Sequence, residues 1–223
     1  LWIGPDLKKN EKEVALGIRT ALANRRTIDR VIVGNETQTF GYVTADQLNG
    51  YIKRVRAALP ARIKVTTAET WSMWLLTPEI GQNVDVIFVH LLPYWEGVSL
   101  DAALQFVDRH FDLTAREFPG KPIIIGETGW PSEGRAKGAA RPSLANQAYF
   151  IRAFVQHAMD RGYDYYLVEA YDQPWKTAEG AVGQYWGLFD ANGRPKFPFT
   201  GLLRTFPEWR TYALIASILT LTL

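Results

Sequence analysis

Cysteine is absent from this chain of 223 residues, which excludes disulfide bonds, zinc–thiolate sites and a cysteine nucleophile. A strong charge of either sign is also absent, because 25 Lys and Arg residues oppose 23 Asp and Glu residues and leave a net charge of +2. This balance predicts no nucleic-acid partner. The three histidines, His90, His110 and His157, share no spacing typical of a metal site. We therefore expect neither a metal nor a cofactor.

Two longer signatures are missing as well. No Gly-x-Gly-x-x-Gly or Gly-x-x-x-x-Gly-Lys loop occurs, and this argues against a nucleotide-dependent enzyme on an open sheet. The uncharged apolar run at residues 213–223 has 11 residues, whereas a membrane-spanning helix takes roughly 20. Two interpretations of this run stay open. It is either the apolar side of a last helix or the first part of a membrane segment that continues beyond Leu223.

What the sequence does contain is an alternation of β-branched runs and amphipathic stretches. Asn10 with Glu13, and Thr44 with Gln47, have the spacing of capping boxes. Strands that alternate with helices predict a parallel sheet with helices outside. Helices are predicted over residues 8–24, 44–59, 99–118 and 143–161, and strands over 31–33, 63–67, 84–90, 122–126 and 165–170, with a further candidate strand at 1–3 and a hairpin over 186–197.

Two architectures fit this alternation, a closed (β/α)8 barrel and an open doubly wound sheet. Polar and aromatic residues follow every predicted strand, whereas an open sheet collects them at one switch point, so the barrel is favoured. A complete barrel takes typically about 250 residues, but only five clear strands are found here. The sequence therefore predicts an α/β fold of the (β/α)8 TIM-barrel type that is truncated at its N-terminal side.

Two glutamates follow β-branched runs in the same way. Gly34-Asn35-Glu36 follows Val31-Ile32-Val33, and Gly126-Glu127-Thr128 follows Ile123-Ile124-Ile125. Each motif places a carboxylate just past the carboxyl end of a predicted buried strand. Two carboxylates on strands far apart in sequence fit the cleavage of a glycosidic bond. Taken singly, Glu36 has the alternative of a loop carboxylate or helix cap, and Glu127 that of a buried partner of Lys176.

Acidic and aromatic residues also collect at the other strand ends. Flat aromatic rings suit the C–H faces of pyranose sugars, although a single tryptophan here has the alternative of packing a loop onto the barrel. His90 is predicted as a structural histidine in preference to a catalytic one, and Glu69 borders either the cleft or the surface. The predicted substrate-binding set is Asn35, Trp71, His90, Tyr94, Trp95, Trp130, Glu169, Asp172, Trp175 and Lys176.

These motifs resemble the β-1,3-glucanase and β-1,3-glucanosyltransferase family, glycoside hydrolase family 17, and in particular its bacterial branch associated with cell-envelope β-glucans. GETGWPS is the most specific of them. The matching segments follow the order of the family and are VIVGNET, VTTAETW, FVHLLPYWEG, PIIIGETGWPS, EAYDQPWK and WGLFDANGRPKFP.

The resemblance implies a barrel whose first two β/α units are missing. Residues 1–212 would then form a partial barrel domain and residues 213–223 an apolar tail. Edge strands without partners follow from this arrangement, and we expect the chain alone to be poorly active or inactive. The resemblance also implies a place at the periplasmic face of the cell envelope, with membrane anchoring through a segment beyond Leu223.

For the site, the resemblance implies a retaining double displacement. Glu127 would be the nucleophile and Glu36 the acid/base. Asn35 would bind the sugar 2-hydroxyl at the cleaved unit, and Tyr94 would donate a hydrogen bond to Glu127. Glu169 and Lys176 would act as a positioning pair.

Three functions stay open under this interpretation, and β-glucan is the expected partner in each. The first is hydrolysis of β-1,3-glucan. The second is transfer of the glycosyl unit to another chain, which the resemblance favours and for which Trp71, Trp74 and Trp95 are candidate acceptor subsites. The third is an inactive barrel fragment that only binds glucan, and the presence of both glutamates argues against it.

Overall fold

A computed structural model describes residues 1–203 and 209–221 of the chain. These residues form two compact units: Leu1–Pro93, Ala102–Thr128 and Ala158–Leu167 make up the first, and Tyr94–Asp101, Gly129–His157 and the described residues from Val168 onward make up the second. The strands are β1 (Arg30–Asn35), β2 (Lys64–Thr70), β3 (Ile87–His90), β4 (Ile123–Thr128) and β5 (Asp164–Leu167), and the α-helices are α1 (Leu7–Ala23), α2 (Ala45–Ala58), α3 (Trp71–Leu76), α4 (Ala103–Glu117), α5 (Leu144–Arg161) and α6 (Trp209–Leu221).

The first unit is built on a parallel sheet with the strand order β1-β2-β3-β4-β5. The predicted α/β class is confirmed. A doubly wound sheet reverses its strand order at a switch point, whereas a TIM barrel keeps neighbours in sequence order. The observed order is therefore that of a TIM barrel.

The sheet of the first unit is strongly curved. Arg30 on β1 donates a hydrogen bond of 3.4 Å to the hydroxyl of Tyr166 on β5, although the first and last of five strands lie about 19 Å apart in a flat sheet. The guanidinium group of Arg30 also lies 5.3 Å from the centroid of the Phe88 ring. The curved sheet encloses an apolar core of Ala68, Val86, Phe88 and Ile124, with Ile32 packed against it.

The register of the sheet shifts near the carboxyl ends of its strands. Between β3 and β4, Val89 pairs with Ile125, but His90 pairs with Glu127, so that Gly126 is the extra residue. A bulge of this kind re-aims the side chains that follow it. Gly126 thereby sets His90 opposite Glu127 at the edge of the sheet where both predicted glutamates lie.

The helix starts agree with the sequence in α2 and differ in α1. The capping box of Thr44 and Gln47 is confirmed at the start of α2. The capping box predicted for Asn10 is wrong, because α1 begins at Leu7 and Asp6 is its N-cap. Asn10 is instead buried, and its side-chain amide bonds to both backbone groups of Gly4.

The five clear strands and the hairpin form with changed ends, whereas the candidate strand at residues 1–3 does not form. Residues 1–3 form no strand, but the carbonyl of Leu1 accepts a hydrogen bond of 3.0 Å from the Gly34 amide, so this segment runs beside β1. β5 ends at Leu167, three residues before the predicted end. In the second unit, Phe189 and Pro195 form an antiparallel bridge within the predicted hairpin, and Gly193 has the positive φ of 80° that a tight turn needs.

The described part of the apolar C-terminal run, residues 213–221, lies in α6. This helix begins at Trp209, so the predicted domain boundary between residues 212 and 213 falls inside it, and residues 222–223 lie outside the described part. The side chains of Tyr212, Leu214 and Ile218 are exposed. Among the residues that the structure describes, no helix has both the length and the apolar character that crossing a membrane takes.

Candidate active site

Three strands of the first unit bring Glu36, His90 and Glu127 together. Glu36 directly follows β1, His90 is the last residue of β3, and Glu127 lies in β4. Parallel strands end at the same edge of a sheet, and the carboxyl edge is where TIM-barrel enzymes place their chemistry. The sequence prediction that the two glutamates share one edge is therefore met by the geometry.

The imidazole of His90 lies between the two carboxylates. Its Nδ1 atom is 2.8 Å from Oε1 of Glu36 and 3.8 Å from Oε2 of Glu127. A carboxylate oxygen of Glu36 and one of Glu127 lie within 4.8 Å of each other. The His90 side chain is only 1% exposed, whereas Glu36 is 17% and Glu127 31% exposed. Solvent and ligands therefore reach the glutamates while the histidine stays behind them.

The charge of the two glutamates governs the pKa of His90. Burial alone lowers the pKa of this imidazole, because it disfavours the charged form. The charge of Glu127, the hydrogen bond to Glu36 and the charges of Glu36 and Glu69 act in the opposite direction, and the net pKa of His90 is raised above 6.5. A protonated His90 would offset the repulsion between two close carboxylates.

Glu36 has an unusual backbone conformation. Its φ is 52°, and no other described residue except glycines has a positive φ. This conformation costs an ordinary L-residue about 1 kcal/mol or more. Its amide donates a hydrogen bond of 2.8 Å to the Ala68 carbonyl on β2, and its carbonyl accepts one of 2.9 Å from Phe40. These bonds hold the carboxylate at the sheet edge.

Glu69 is a further buried acid next to this loop, and it was not assigned to the site from the sequence. It is 1% exposed and accepts hydrogen bonds from Gln38 and Thr39. Burial raises its pKa, and these hydrogen bonds partly oppose that effect. Its place after the strand run Val65–Ala68 was the signal available in the sequence, but a surface role was equally open there.

The other predicted residues of the first unit have mixed environments. Asn35 is exposed at the end of β1. The indole of Trp71 packs against the ring of His110, with the centroids 4.1 Å apart. Trp74 is 1% exposed and donates a hydrogen bond of 2.8 Å to the Phe88 carbonyl. Trp74 is therefore a core residue, and the prediction that it forms an acceptor subsite is wrong.

The same trio bears on metal binding. Among the described residues, the ligand atoms of Glu36, His90 and Glu127 lie close enough together to hold one ion. Their mutual hydrogen bond and ion pair already account for this closeness. The expected lack of a metal in the reaction stays a prediction.

The second unit contains a cluster of aromatic rings. Trp95 stacks on Trp186 at 6.0 Å, and the Tyr94 ring meets Trp130 edge-on at 6.4 Å. The indole N–H of fully buried Trp130 donates to the Arg141 carbonyl. Trp130 therefore offers no open face to a sugar, which corrects its prediction as a substrate-binding residue.

The hydroxyl group of Tyr94 also has a different partner from the one that the resemblance implied. It donates a hydrogen bond of 2.7 Å to the Arg135 carbonyl. A phenol carries a single O–H donor, and that donor is engaged within the second unit, so the implied donation to Glu127 stays a prediction from the resemblance. Trp95 is the half-buried member of the cluster, and Lys137 lies 5.2 Å from its ring centroid.

The segment 169–176 holds the remaining predicted residues. Lys176 lies 3.8 Å from Glu169 and 3.3 Å from Glu179, while Gln173 also bonds to Glu169. Trp175 is 75% exposed. Glu169 and Lys176 thus contact each other, and their positioning role stays a prediction.

Asp172 is engaged within the second unit. Its carboxylate accepts a hydrogen bond of 2.9 Å from the Gly187 amide and pairs with Lys196 at 2.8 Å. The Lys196 side chain is 10% exposed and the Asp172 side chain 12% exposed, so both are about nine-tenths buried. This ion pair engages Asp172 within the second unit, and its contact with substrate stays a prediction.

Comparison with known proteins gives this geometry a family. The sequence matches the BtgE/BtgC glycoside hydrolase domain over residues 1–187. The glucan 1,3-beta-glucosidase of Arthroderma benhamiae is 27% identical over 215 residues, which cover 88% of this chain and 70% of that protein. The probable beta-glucosidase btgE of Aspergillus flavus is 35% identical over 167 residues, covering 72% of this chain and 27% of that protein.

Solved structures agree with the sequence relatives. The glycoside hydrolase family 17 beta-1,3-glucanosyltransferase of Rhizomucor miehei superposes with a TM-score of 0.80 at 29% identity, over 90% of this chain and 74% of that one. An active-site mutant of that enzyme was solved in complex with laminaritriose. An endo-laminarinase from Formosa, with a TM-score of 0.69 and 18% identity over 83% of this chain and 60% of that one, shares the fold.

The comparisons support the predicted glycosidase and correct its predicted branch. The curated relatives are fungal, so the bacterial cell-envelope type has no support. The comparisons give no support to membrane anchoring either. Because the match extends over residues 1–187, the chain belongs to the BtgE/BtgC glycoside hydrolase domain family.

Proposed function

We propose that the enzyme to which this chain belongs acts on β-1,3-glucan with retention of configuration, with Glu127 as the nucleophile and Glu36 as the acid/base; the poor activity of the chain alone stays a separate prediction. The observation that carries the proposal is the distance of at most 4.8 Å between their carboxylate oxygens. Retaining glycosidases hold the two carboxyl groups about 5–5.5 Å apart, whereas inverting enzymes separate them by about 6.5–9.5 Å to admit a water molecule. The observed spacing fits the retaining class.

The proposed reaction proceeds in two displacements at the anomeric carbon. In the first, a Glu127 oxygen forms a bond to this carbon while the glycosidic bond breaks, and Glu36 gives its proton to the leaving oxygen. In the second, water or a sugar hydroxyl attacks the anomeric carbon, its proton passes to Glu36, and the bond to Glu127 breaks. Both glutamates return to their starting states.

His90 supports this exchange from behind the two acids. Its Nδ1 atom lies 2.8 Å from Glu36, and an imidazole nitrogen either donates to an ionised carboxylate or accepts from a protonated one. When His90 is protonated, this contact is a donation from Nδ1–H to the ionised Glu36 carboxylate, which is the state of Glu36 after it transfers its proton. With 1% of its side chain exposed, His90 holds Glu36 without meeting the substrate.

Transfer to a second glucan chain is the favoured outcome. Support for transfer comes from the Rhizomucor miehei glucanosyltransferase, which superposes on this chain with a TM-score of 0.80 at 29% identity. The active-site mutant of that enzyme binds laminaritriose. Hydrolysis is the second candidate, since the Arthroderma relative is named a glucosidase. The shared intermediate reacts with a sugar hydroxyl in one case and with water in the other. A place in the cell envelope stays a prediction.

The test compares Glu127→Gln with Glu79→Gln, which changes an exposed glutamate of the same unit. Without its nucleophile, the first variant should lose turnover of laminari-oligosaccharides by roughly 10⁴-fold or more and still bind them in a calorimeter. The Glu79 variant should match wild type. Mass spectrometry of the wild-type products should show chains longer than the substrate for transfer. Full activity with Gln at 127 would reject the proposal.

A further inference from the structure

Glu69 is a buried acid that the proposed reaction does not use directly. It lies on β2 and is 1% exposed. Its Oε1 atom accepts a hydrogen bond of 2.7 Å from the Gln38 amide. Its Oε2 atom accepts bonds of 3.1 Å from the Thr39 amide and 2.9 Å from the Thr39 hydroxyl. Both oxygens therefore bind the loop that follows Glu36.

A carboxylate in this position needs a reason, because burying a charged group is costly unless it is paired or hydrogen-bonded. Coulomb repulsion from nearby Glu36 adds to that cost. The three donors that compensate it all come from two consecutive residues, Gln38 and Thr39. The buried Glu69 carboxylate thus fixes the short loop that contains Gln38 and Thr39.

The fixed loop carries the proposed acid/base in a strained conformation. Glu36 has a φ of 52°, and its amide bonds to the Ala68 carbonyl. Ala68 and Glu69 are consecutive residues of β2, and they hold the loop on both sides of the Glu36 side chain. A strained residue persists when its surroundings over-determine it.

We propose that Glu69 is a positioning residue whose carboxylate fixes residues 36–39 and so aims the Glu36 carboxyl at the glycosidic oxygen. This inference rests on the proposed function, in which Glu36 is the acid/base. Glu69 does not touch the reacting atoms. Its loss should impair the steps that need proton transfer and spare those that do not.

The first test is Glu69→Gln, with Glu79→Gln as the matched control at an exposed site. The glutamine amide group has the shape of the carboxylate, but its NH₂ end cannot accept a hydrogen bond from a loop N–H. On laminari-oligosaccharides, kcat should fall by about 10- to 100-fold, below the roughly 10²–10⁴-fold that acid/base catalysis supplies in full. The first step on 2,4-dinitrophenyl β-laminaribioside should slow by less than about threefold, because this leaving group needs no proton.

The second test uses azide, an anion that attacks the glycosyl–enzyme without needing a base. Its nitrogen forms a bond to the anomeric carbon as the bond to Glu127 breaks, and no proton is moved. With the dinitrophenyl substrate, azide should restore turnover of the Glu69→Gln variant and yield a β-glycosyl azide. If Glu69→Gln acted only by destabilising the fold, the rate would fall equally on both substrates and azide would have no effect. That result would overturn the proposal.

A second variant keeps the proposal testable if Glu69→Gln fails to fold. Thr39→Val removes the hydroxyl donor and leaves the buried acid in place, and Thr27→Val, at an exposed turn, is its control. Thr39→Val should show the same selectivity for leaving group and the same azide rescue, with a loss of about threefold to 10-fold in kcat.

Glu36→Gln separates the two levels of the account. If it shows leaving-group dependence and azide rescue while the Glu69 and Thr39 variants behave as wild type, the positioning role is wrong and the proposed function stands. If Glu36→Gln is itself fully active, the proposed function fails.

Discussion

At the residue scale, the hydrogen bond between His90 and Glu36 is the contact that matters most to the proposed chemistry. His90 is buried beside two carboxylates, and their charges outweigh the effect of burial on its pKa. The imidazole thus reduces repulsion between acids that must lie close together for a retaining mechanism. Its pKa shift links this local function to the stability of the fold.

A raised pKa in the folded state has a definite sign in stability. The folded protein binds the His90 proton more tightly than the unfolded chain does, so the contribution is fully present below the unfolded value of 6.5 and is lost as the pH rises through the folded pKa. His90→Asn removes this contribution and keeps a polar group near the Nδ1 position.

Urea unfolding of both proteins from about pH 5 to about pH 9 measures the difference. Wild type should exceed His90→Asn in free energy of unfolding most strongly at the acidic end. A difference that grows toward alkaline pH would contradict the proposed charge of His90.

Residue types alone identified the two glutamates but not the roles of the aromatic side chains. Glu36 and Glu127 follow glycine after β-branched runs, a local pattern that the sequence displays in full. Trp74 and Trp130 also follow strands, yet both are buried with their indole N–H groups bonded to carbonyls. An indole suits a sugar face and a protein core equally well, and only tertiary packing distinguishes the two.

At the scale of elements, the extra residue in β4 matters most. Gly126 shifts the register so that His90 pairs with Glu127 instead of with the residue before it. The His90 ring then packs against the Gly126 backbone: a Cβ at position 126 would lie 3.0 Å from Cδ2 of His90 and 3.1 Å from Cδ1 of Phe88. The glycine is therefore the extra residue of the bulge and leaves room for the imidazole.

Gly126→Ala should displace His90 by a few tenths of an ångström and lower kcat by roughly 10-fold, since small misplacements in an active site are costly. Overpacking should also reduce the free energy of unfolding by about 1–3 kcal/mol. The control is Gly50→Ala on α2, where an added Cβ meets nothing within 4 Å. This change should keep wild-type activity and stabilise the helix by up to about 1 kcal/mol. A Gly126→Ala enzyme with wild-type kcat would show that the exact place of His90 is unimportant.

Element ends show why some local predictions fail. The capping box of α2 was predictable because Thr44 and Gln47 satisfy one another within four residues. In α1 the same spacing at Asn10 is misleading, because Asp6 caps the helix earlier and Asn10 bonds to Gly4. Two acceptable caps lay within one turn of each other, and contacts outside the helix selected between them.

At the scale of the whole molecule, the parallel sheet and the α/β class followed from alternation alone, and the barrel-type strand order was predicted from the polar and aromatic residues after every strand. The curvature of the sheet did not follow from the sequence, since it depends on Arg30 of β1 meeting Tyr166 of β5, residues 136 positions apart. The closeness of Glu36, His90 and Glu127 is likewise a product of register shifts that no periodicity records. Sequence motifs thus predicted the two acids of the proposed reaction, and tertiary structure supplied their spacing.

That spacing leads to the central claim, that the reaction retains configuration. The most direct measurement is proton NMR of a laminari-oligosaccharide during its cleavage, at a substrate concentration low enough for water to be the main acceptor. The account predicts that the β-anomer of the new reducing end appears first and that the α-anomer follows only by mutarotation. First appearance of the α-anomer would mean inversion and would contradict the roles assigned to Glu36 and Glu127.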